Sequence, residues 1–158
     1  MIKSIKLLHY DKILQLNQEF VHWLSPLDEA KLEWLLSIAT YKCQIVDAKA
    51  VLLGYPHDVD YPNHKNMTWL SRHVSDYFYI DRIIVDNSAH GKGYGKLLYQ
   101  DVEIFARELG HVHIACEVNI RPNNPASHAF HLAMGYTAIG DQDYPDYNAS
   151  IRYYKKAL

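Results

Sequence analysis

Gly91, Gly93 and Gly95 stand at alternate positions in "DNSAHGKGYGKLLY", residues 86–99, where a strand-like run, "YFYIDRIIV", hands over to a helical one. Glycine destabilises regular structure by about 0.5–1 kcal/mol relative to alanine, so this spacing marks a place where backbone must come close to something. The chemistry on offer is anion binding: free N–H groups and the helix dipole at a glycine-rich strand-to-helix turn both favour negative charge. A Walker loop needs four residues between its first glycine and Gly-Lys-Ser/Thr; here Lys96 has no hydroxyl after it. A dinucleotide fingerprint needs G-x-G-x-x-G after a first strand, whereas Gly91-x-Gly93-x-Gly95 comes late in the chain.

The elements that must position this loop follow from periodicity. "IKSIKLL" reads as a strand and residues 10–22 as a helix. "SPLDEAKLEWLLSIAT" reads as an amphipathic helix with Ser25 as N-cap, Pro26 at its first position and Leu32, Leu35, Leu36 and Ala39 on one face. "KCQIVD" and "AKAVLLGY" read as strands turning at Asp47 and Ala48, and residues 56–76 as a long polar loop of the kind that forms lids or binding surfaces. "YFYIDRIIV" is apolar on both faces, as a central strand requires. Tyr94, Leu98, Val102, Phe105 and Leu109 follow the helical period up to Gly110. "HVHIACEVN" alternates, with Glu117 and Asn119 on one face. Asn124 N-caps a helix that has Pro125 at its first position and stops at Gly135; "YTAIG" and "ASIRYYKKA" close the chain as strands. This order predicts one α/β domain over residues 1–158 with a mixed sheet, parallel through the crossover and antiparallel near both ends.

Composition narrows the function. A net charge of −2 over 158 residues gives no electrostatic reason to expect nucleic acid or an anionic membrane as partner. Cys43 and Cys116 are too few for a disulfide framework and read as buried thiols. No stretch near the start has signal or membrane-spanning length, so a cytoplasmic protein is expected. The histidines of the 56–76 loop have no compact metal spacing, and no metal is expected.

"RIIVDNSAHGKGYGKLLYQDVEIFARELG", "CEVN" and "NNPASHAFHLAMGY", in that order before a final strand pair, resemble the GNAT family of N-acetyltransferases over nearly all of residues 77–158. The first half matches only in layout. The segments "YIDRIIV", "CEVN", "NNPAS" and "AFHLAMGY" further resemble a small bacterial subgroup whose acceptors are mostly unassigned. The resemblance implies a GNAT-like, partly splayed sheet flanked by helices on both faces, with acetyl-CoA as co-substrate. It places Gly93 and Gly95 at the glycines of an R/Q-x-x-G-x-G/A loop, so that amides of Gly91, Lys92, Gly93, Tyr94, Gly95 and Lys96 would bind the coenzyme pyrophosphate. His90 stands where the family most often has Arg or Gln. Asn124 lies near the pantetheine arm in a second binding segment with Ser127 and Phe130, and Asn119 shares the face of Glu117.

Direct transfer to an amine needs a neutral nucleophile, an oxyanion donor and a proton for the thiolate. A lysine-like amine of pKa about 10.4 is neutral about one part in 2,500 at pH 7, a cost of roughly 4.6 kcal/mol, whereas an α-amine near 7.8 costs only about 1. Asp81 and Glu117 are the candidate bases, with a salt bridge from Asp81 to Arg82 as the alternative. A backbone N–H within Ile83, Ile84 and Val85 is the expected oxyanion donor. His131 occupies the position of the family's usual tyrosine acid; an imidazolium there would protonate the thiolate, while a polar core histidine bonded to Ser127 is the competing reading. The expected acceptor is an amine of a small molecule or peptide. A non-catalytic acyl-CoA-binding module and a nucleotide-phosphate binder are the alternatives, and the tyrosine-rich last strand could contribute to a homodimer.

Overall fold

The computed structural model describes residues 1–158 as a seven-stranded sheet in the order β1-β2-β3-β4-β5-β7-β6. The strands are β1 (Ile2–Ser4), β2 (Tyr41–Ile45), β3 (Ala50–Pro56), β4 (Phe78–Val85), β5 (His113–Arg121), β6 (Thr137–Tyr144) and β7 (Ala149–Ala157). Five α-helices accompany them: α1 (Tyr10–Glu19), α2 (Glu29–Ile38), α3 (Lys65–Ser71), α4 (Tyr94–Glu108) and α5 (Pro125–Ala133). The β4–β5 pair is parallel and every other pair antiparallel, as the crossover through α4 requires. No helix is long and apolar enough to cross a membrane.

Burial on both faces of β4 and β5 explains their near-continuous apolar character. Phe78, Ile80, Ile114, Cys116 and Val118 pack under Leu98, Tyr99, Val102 and Ala106 of α4, while Tyr79 and Ala115 face Met67 and Leu70 of α3. A third cluster joins Ile13 of α1 and Leu32, Leu35 and Leu36 of α2 to Val51 and Leu53 of β3. Leu109, which follows the apolar period of α4, is exposed, as is Val112, where the chain turns between α4 and β5.

The β4–β5 ladder is short. Only Phe78–Ile114 and Tyr79–Ala115 are in register, after which the strands separate. This split and the glycine turn beyond Val85 frame the site.

Several boundaries depart from expectation for physical reasons. The first helix stops at Glu19, and residues 20–24 leave it as turns. The second is capped by Asp28, whose carboxylate accepts from the Lys31 amide at 2.8 Å, because Ser25 is engaged elsewhere. The 56–76 segment contains α3, N-capped by His64, whose Nδ1 accepts from the Met67 amide at 3.2 Å. Finally, β7 is flanked by β5 and β6, with Tyr153 and Tyr154 buried, so its backbone offers no free edge to a second copy.

Candidate active site

Gly93 is the N-cap of α4, at φ 75°, and Gly91 has φ 77°; both lie in the left-handed region that glycine enters without steric cost. The turn therefore leaves the amides of Gly91, Gly93, Tyr94, Gly95 and Lys96 with no acceptor inside the protein, while the Lys92 amide donates to the Ala89 carbonyl at 3.3 Å. The free amides open onto a cleft of about 980 Å³. Its walls include Ile83, Ile84, Val85 and His90 on one side and Asn124, Ser127, Phe130 and His131 on the other.

Two residues expected at the coenzyme lie otherwise. Lys92 does not line the large cleft, and Asn119 lines a smaller one at the β4–β5 split. His90 uses Nε2 to donate to the Val85 carbonyl at 3.0 Å, so that nitrogen locks the turn. Asn124 caps α5, its side chain accepting from the Ser127 amide at 3.3 Å. Residues 19–24 supply a wall that no sequence motif announced, and Trp23 fixes it by donating to the Asn123 carbonyl at 3.1 Å.

The smaller cleft, about 90 Å³, holds Asp81 and Glu117 and shares Trp23, Leu24, Ile83, Asn124, Ser127 and His131 with the larger one. Its two carboxylates sit in opposite electrostatic settings. Asp81 receives the Nε of the buried Arg82 at 2.7 Å and the Tyr55 hydroxyl, with His64 Nε2 at 3.6 Å. Arg82 is itself anchored to Asn17 at 2.8 Å and Ser25 at 3.0 Å. Burial acts to raise the Asp81 carboxyl, but the Arg82 charge and the bonds from His64, Tyr55 and Arg82 outweigh it and hold the group far below the usual carboxylate range. Asp81 is thus a permanent anion committed to a salt bridge, and a poor proton acceptor.

Glu117 has no cation in contact. The Tyr79 hydroxyl lies 2.7 Å from each of its oxygens, and Asn66 donates at 3.0 Å. Burial pushes its carboxyl up, and the Asp81 charge adds to this; the Tyr79 and Asn66 hydrogen bonds and the Lys65 charge oppose it, leaving the group at about 8. Tyr153 donates to Asn66 at 2.8 Å and so orients that amide toward the carboxylate.

His131 differs from the expected acid. It is buried; Nδ1 donates to the Ser127 carbonyl at 2.7 Å, which leaves Nε2 to accept from the Tyr99 hydroxyl at 2.7 Å. Burial, opposed by the Ser127 bond, pushes the imidazole down to about 4, so at neutral pH it has no second proton to give. The linkage sign is set by that depression. The unfolded state, near 6.5, binds the proton first, so the stabilisation is complete above pH 6.5 and is lost as pH falls toward 4. Wild-type protein should lose up to about 3 kcal/mol of unfolding free energy across that window relative to His131→Phe, measured by urea denaturation at each pH. Parallel pH curves for the two proteins would refute the buried neutral imidazole.

Comparison with known proteins agrees with this architecture. The acetyltransferase (GNAT) family matches residues 17–136. The fold is similar to Ard1 from Thermoplasma volcanium (TM-score 0.77, 12% identity, covering 100% of this chain and 97% of that one). It is also similar to the ribosomal-protein-S18-alanine N-acetyltransferase from Escherichia coli (0.71, 13%, 100% and 93%) and to the Drosophila melanogaster polyamine N-acetyltransferase (0.69, 14%, 100% and 99%). No curated protein sequence is significantly similar. With the family's match running from the end of α1 through the glycine turn to Tyr136, the chain belongs to the acetyltransferase (GNAT) family and is an N-acetyltransferase.

Proposed function

We propose that the protein transfers an acetyl group from acetyl-CoA directly to a primary amine of a small molecule or peptide, with Glu117 as the general base. The observation that carries this reading is the set of unpartnered amides of Gly91, Gly93, Tyr94, Gly95 and Lys96 at one end of a cleft whose other end meets Glu117 at the β4–β5 split. The amides and the α4 dipole receive the pyrophosphate. The acyl arm then runs along β4, whose edge toward β5 is unpaired beyond Tyr79, so a backbone N–H between Ile83 and Val85 can meet the oxyanion.

The base assignment rests on the difference between the carboxylates. Asp81 is too weak a base to take an amine proton, whereas Glu117 at about 8 is matched to the task. Passing that proton to a thiolate of pKa about 8.5 is close to thermoneutral, so His131 need not act as an acid. Asp81 and Arg82 instead form a buried pair that holds Tyr55 and His64 in place. Both a ribosomal-protein-alanine N-acetyltransferase and a polyamine N-acetyltransferase share this fold, which supports an amine acceptor without separating a protein from a small molecule.

The test is steady-state thiol release from acetyl-CoA with α-amino peptides and small polyamines as acceptors. Amine-dependent turnover is expected. Tight coenzyme binding with no turnover on any amine would favour a non-catalytic acyl-CoA module, and displacement of the coenzyme by equimolar ATP would favour a nucleotide site.

A further inference from the structure

At the pole of the sheet opposite the glycine turn, His57, Asp76 and His111 converge from separate connections: His57 follows β3, Asp76 precedes β4 and His111 precedes β5. Asp76 Oδ1 lies 2.8 Å from His111 Nδ1 and 3.5 Å from His57 Nδ1, and the ligand atoms all fall within 4.8 Å of one another. His57 Nδ1 is buried and has no hydrogen-bond partner, the one side-chain nitrogen or oxygen in the chain left so. An unmet buried polar atom is a standing free-energy cost that something normally relieves.

We propose that His57, Asp76 and His111 bind a single borderline divalent metal ion of the Zn²⁺ class, independently of the acetyl-transfer site. Two imidazole nitrogens and one carboxylate oxygen suit Zn²⁺, Co²⁺ or Ni²⁺ and disfavour Mg²⁺ and Ca²⁺, which take oxygen. Tetrahedral bonds of about 2.0–2.2 Å place neighbouring ligand atoms about 3.3 Å apart, a value bracketed by the two distances to Asp76. The ion would meet the His57 lone pair that nothing else meets, and would replace the hydrogen bond between His111 Nδ1 and Asp76 Oδ1, His111 then carrying its proton on Nε2.

The surroundings hold the ligands in place. Asp76 Oδ2 accepts from the Val112 amide at 2.9 Å, which leaves Oδ1 directed at the imidazoles. The Asp76 carbonyl accepts from His113 Nδ1 at 3.1 Å. Tyr77 packs against the His57 ring and Phe78 against the His111 ring. The side chains keep 29%, 32% and 13% exposure for His57, Asp76 and His111, so an ion can enter and water can complete its shell. His57 and Asp76 are the ends of the segment that carries His64 and Asn66 to Asp81 and Glu117. A bound ion would staple that segment at its base and tie it to the α4–β5 turn.

The test uses untagged, chelator-stripped protein titrated with Co²⁺, followed by its visible d–d absorption, and with Zn²⁺, followed by calorimetry. One equivalent of either ion should bind, and Tm should rise by about 5–10 °C at a free concentration about a hundredfold above Kd. His57→Ala and His57→Gln should each abolish the Co²⁺ band and the Tm rise; so should His111→Ala. Asp76→Asn keeps an acceptor for the Val112 amide while weakening the site. Wild-type protein that binds neither ion, or His57 variants that bind both unchanged, would overturn the proposal.

Discussion

Glu117→Gln is expected to lower kcat by about 10²–10⁴-fold, the usual contribution of a general base, with the Kd for acetyl-CoA unchanged. The substitution is nearly isosteric. Its carbonyl oxygen still accepts from Tyr79 or Asn66, so the side chain stays in place while the charge and basicity go. The pH profile identifies the group. With a lysine-like acceptor of pKa about 10.4, log(kcat/KM) for wild type should climb with a slope of about 2 below pH 8 and about 1 above it, since base and amine must both lose a proton. The variant should show the single slope of the amine throughout. A variant that keeps both the rate and the break near pH 8 would place the base elsewhere.

The same variant tests what the raised carboxyl costs. Glu117 titrates at about 8 in the fold against 4.5 when exposed, so the folded protein holds its proton longer. Stability is therefore greatest below pH 4.5 and falls by an amount of order 4 kcal/mol as pH rises through 8. Glu117→Gln should be less sensitive to pH over that range and more stable than wild type above pH 8. A base strong enough for an amine is in this sense a destabilised carboxylate, and its neighbour Asp81 shows the opposite choice. One β-strand carries an aspartate neutralised by Arg82, and the next carries a glutamate left without a cation. Two titratable groups pushed apart in this way are how one small cleft can hold both a fixed anion and a proton acceptor.

That division was invisible in the sequence, although both residues stand out there. Strand alternation places Glu117 on the face of Asn119, and the Asp81–Arg82 neighbours suggest a salt bridge. What alternation cannot supply is the third element. Asn66, His64 and Tyr55 reach the carboxylates from α3, its N-cap and β3, and the polar, proline-containing composition of residues 56–76 conceals the short helix. His131 shows the same limit from the other side: its period marks the buried face of α5, but its lowered pKa comes from burial that only tertiary packing completes, with Tyr99, a full crossover away, bonded to its Nε2. The glycine turn, by contrast, was legible because its signal is local; alternating glycines at a strand-to-helix junction constrain the backbone whatever packs around them. Residues 19–24 and the His57–Asp76–His111 group come together only through tertiary contact, and no spacing in the chain announces either.

Gly93→Leu should weaken acetyl-CoA binding by about 10²–10⁴-fold and leave the fold intact. A Cβ at Gly93 meets no protein atom within 4 Å, so the first atom of the new side chain has open space around it. What it does cost is the left-handed backbone at φ 75°, about 1–2 kcal/mol, against a stability of about 5–15 kcal/mol for an ordinary domain. Gly93 lines the large cleft beside the free amides, so a leucine there is expected to take up space in which the pyrophosphate is proposed to sit. Losing two charge-assisted hydrogen bonds worth about 1.5–3 kcal/mol each accounts for the expected range, at 1.4 kcal/mol per decade. The matched control is Gly110→Leu, which imposes the same strain at φ 92° beyond the far end of α4, also with no protein atom within 4 Å of the new Cβ. If strain alone governed affinity, the two variants would lose it equally. If the amides at the N-terminus of α4 hold the coenzyme, calorimetric titration should find binding weakened by that factor in the first and preserved in the second, with the two proteins unfolding within a few degrees of each other.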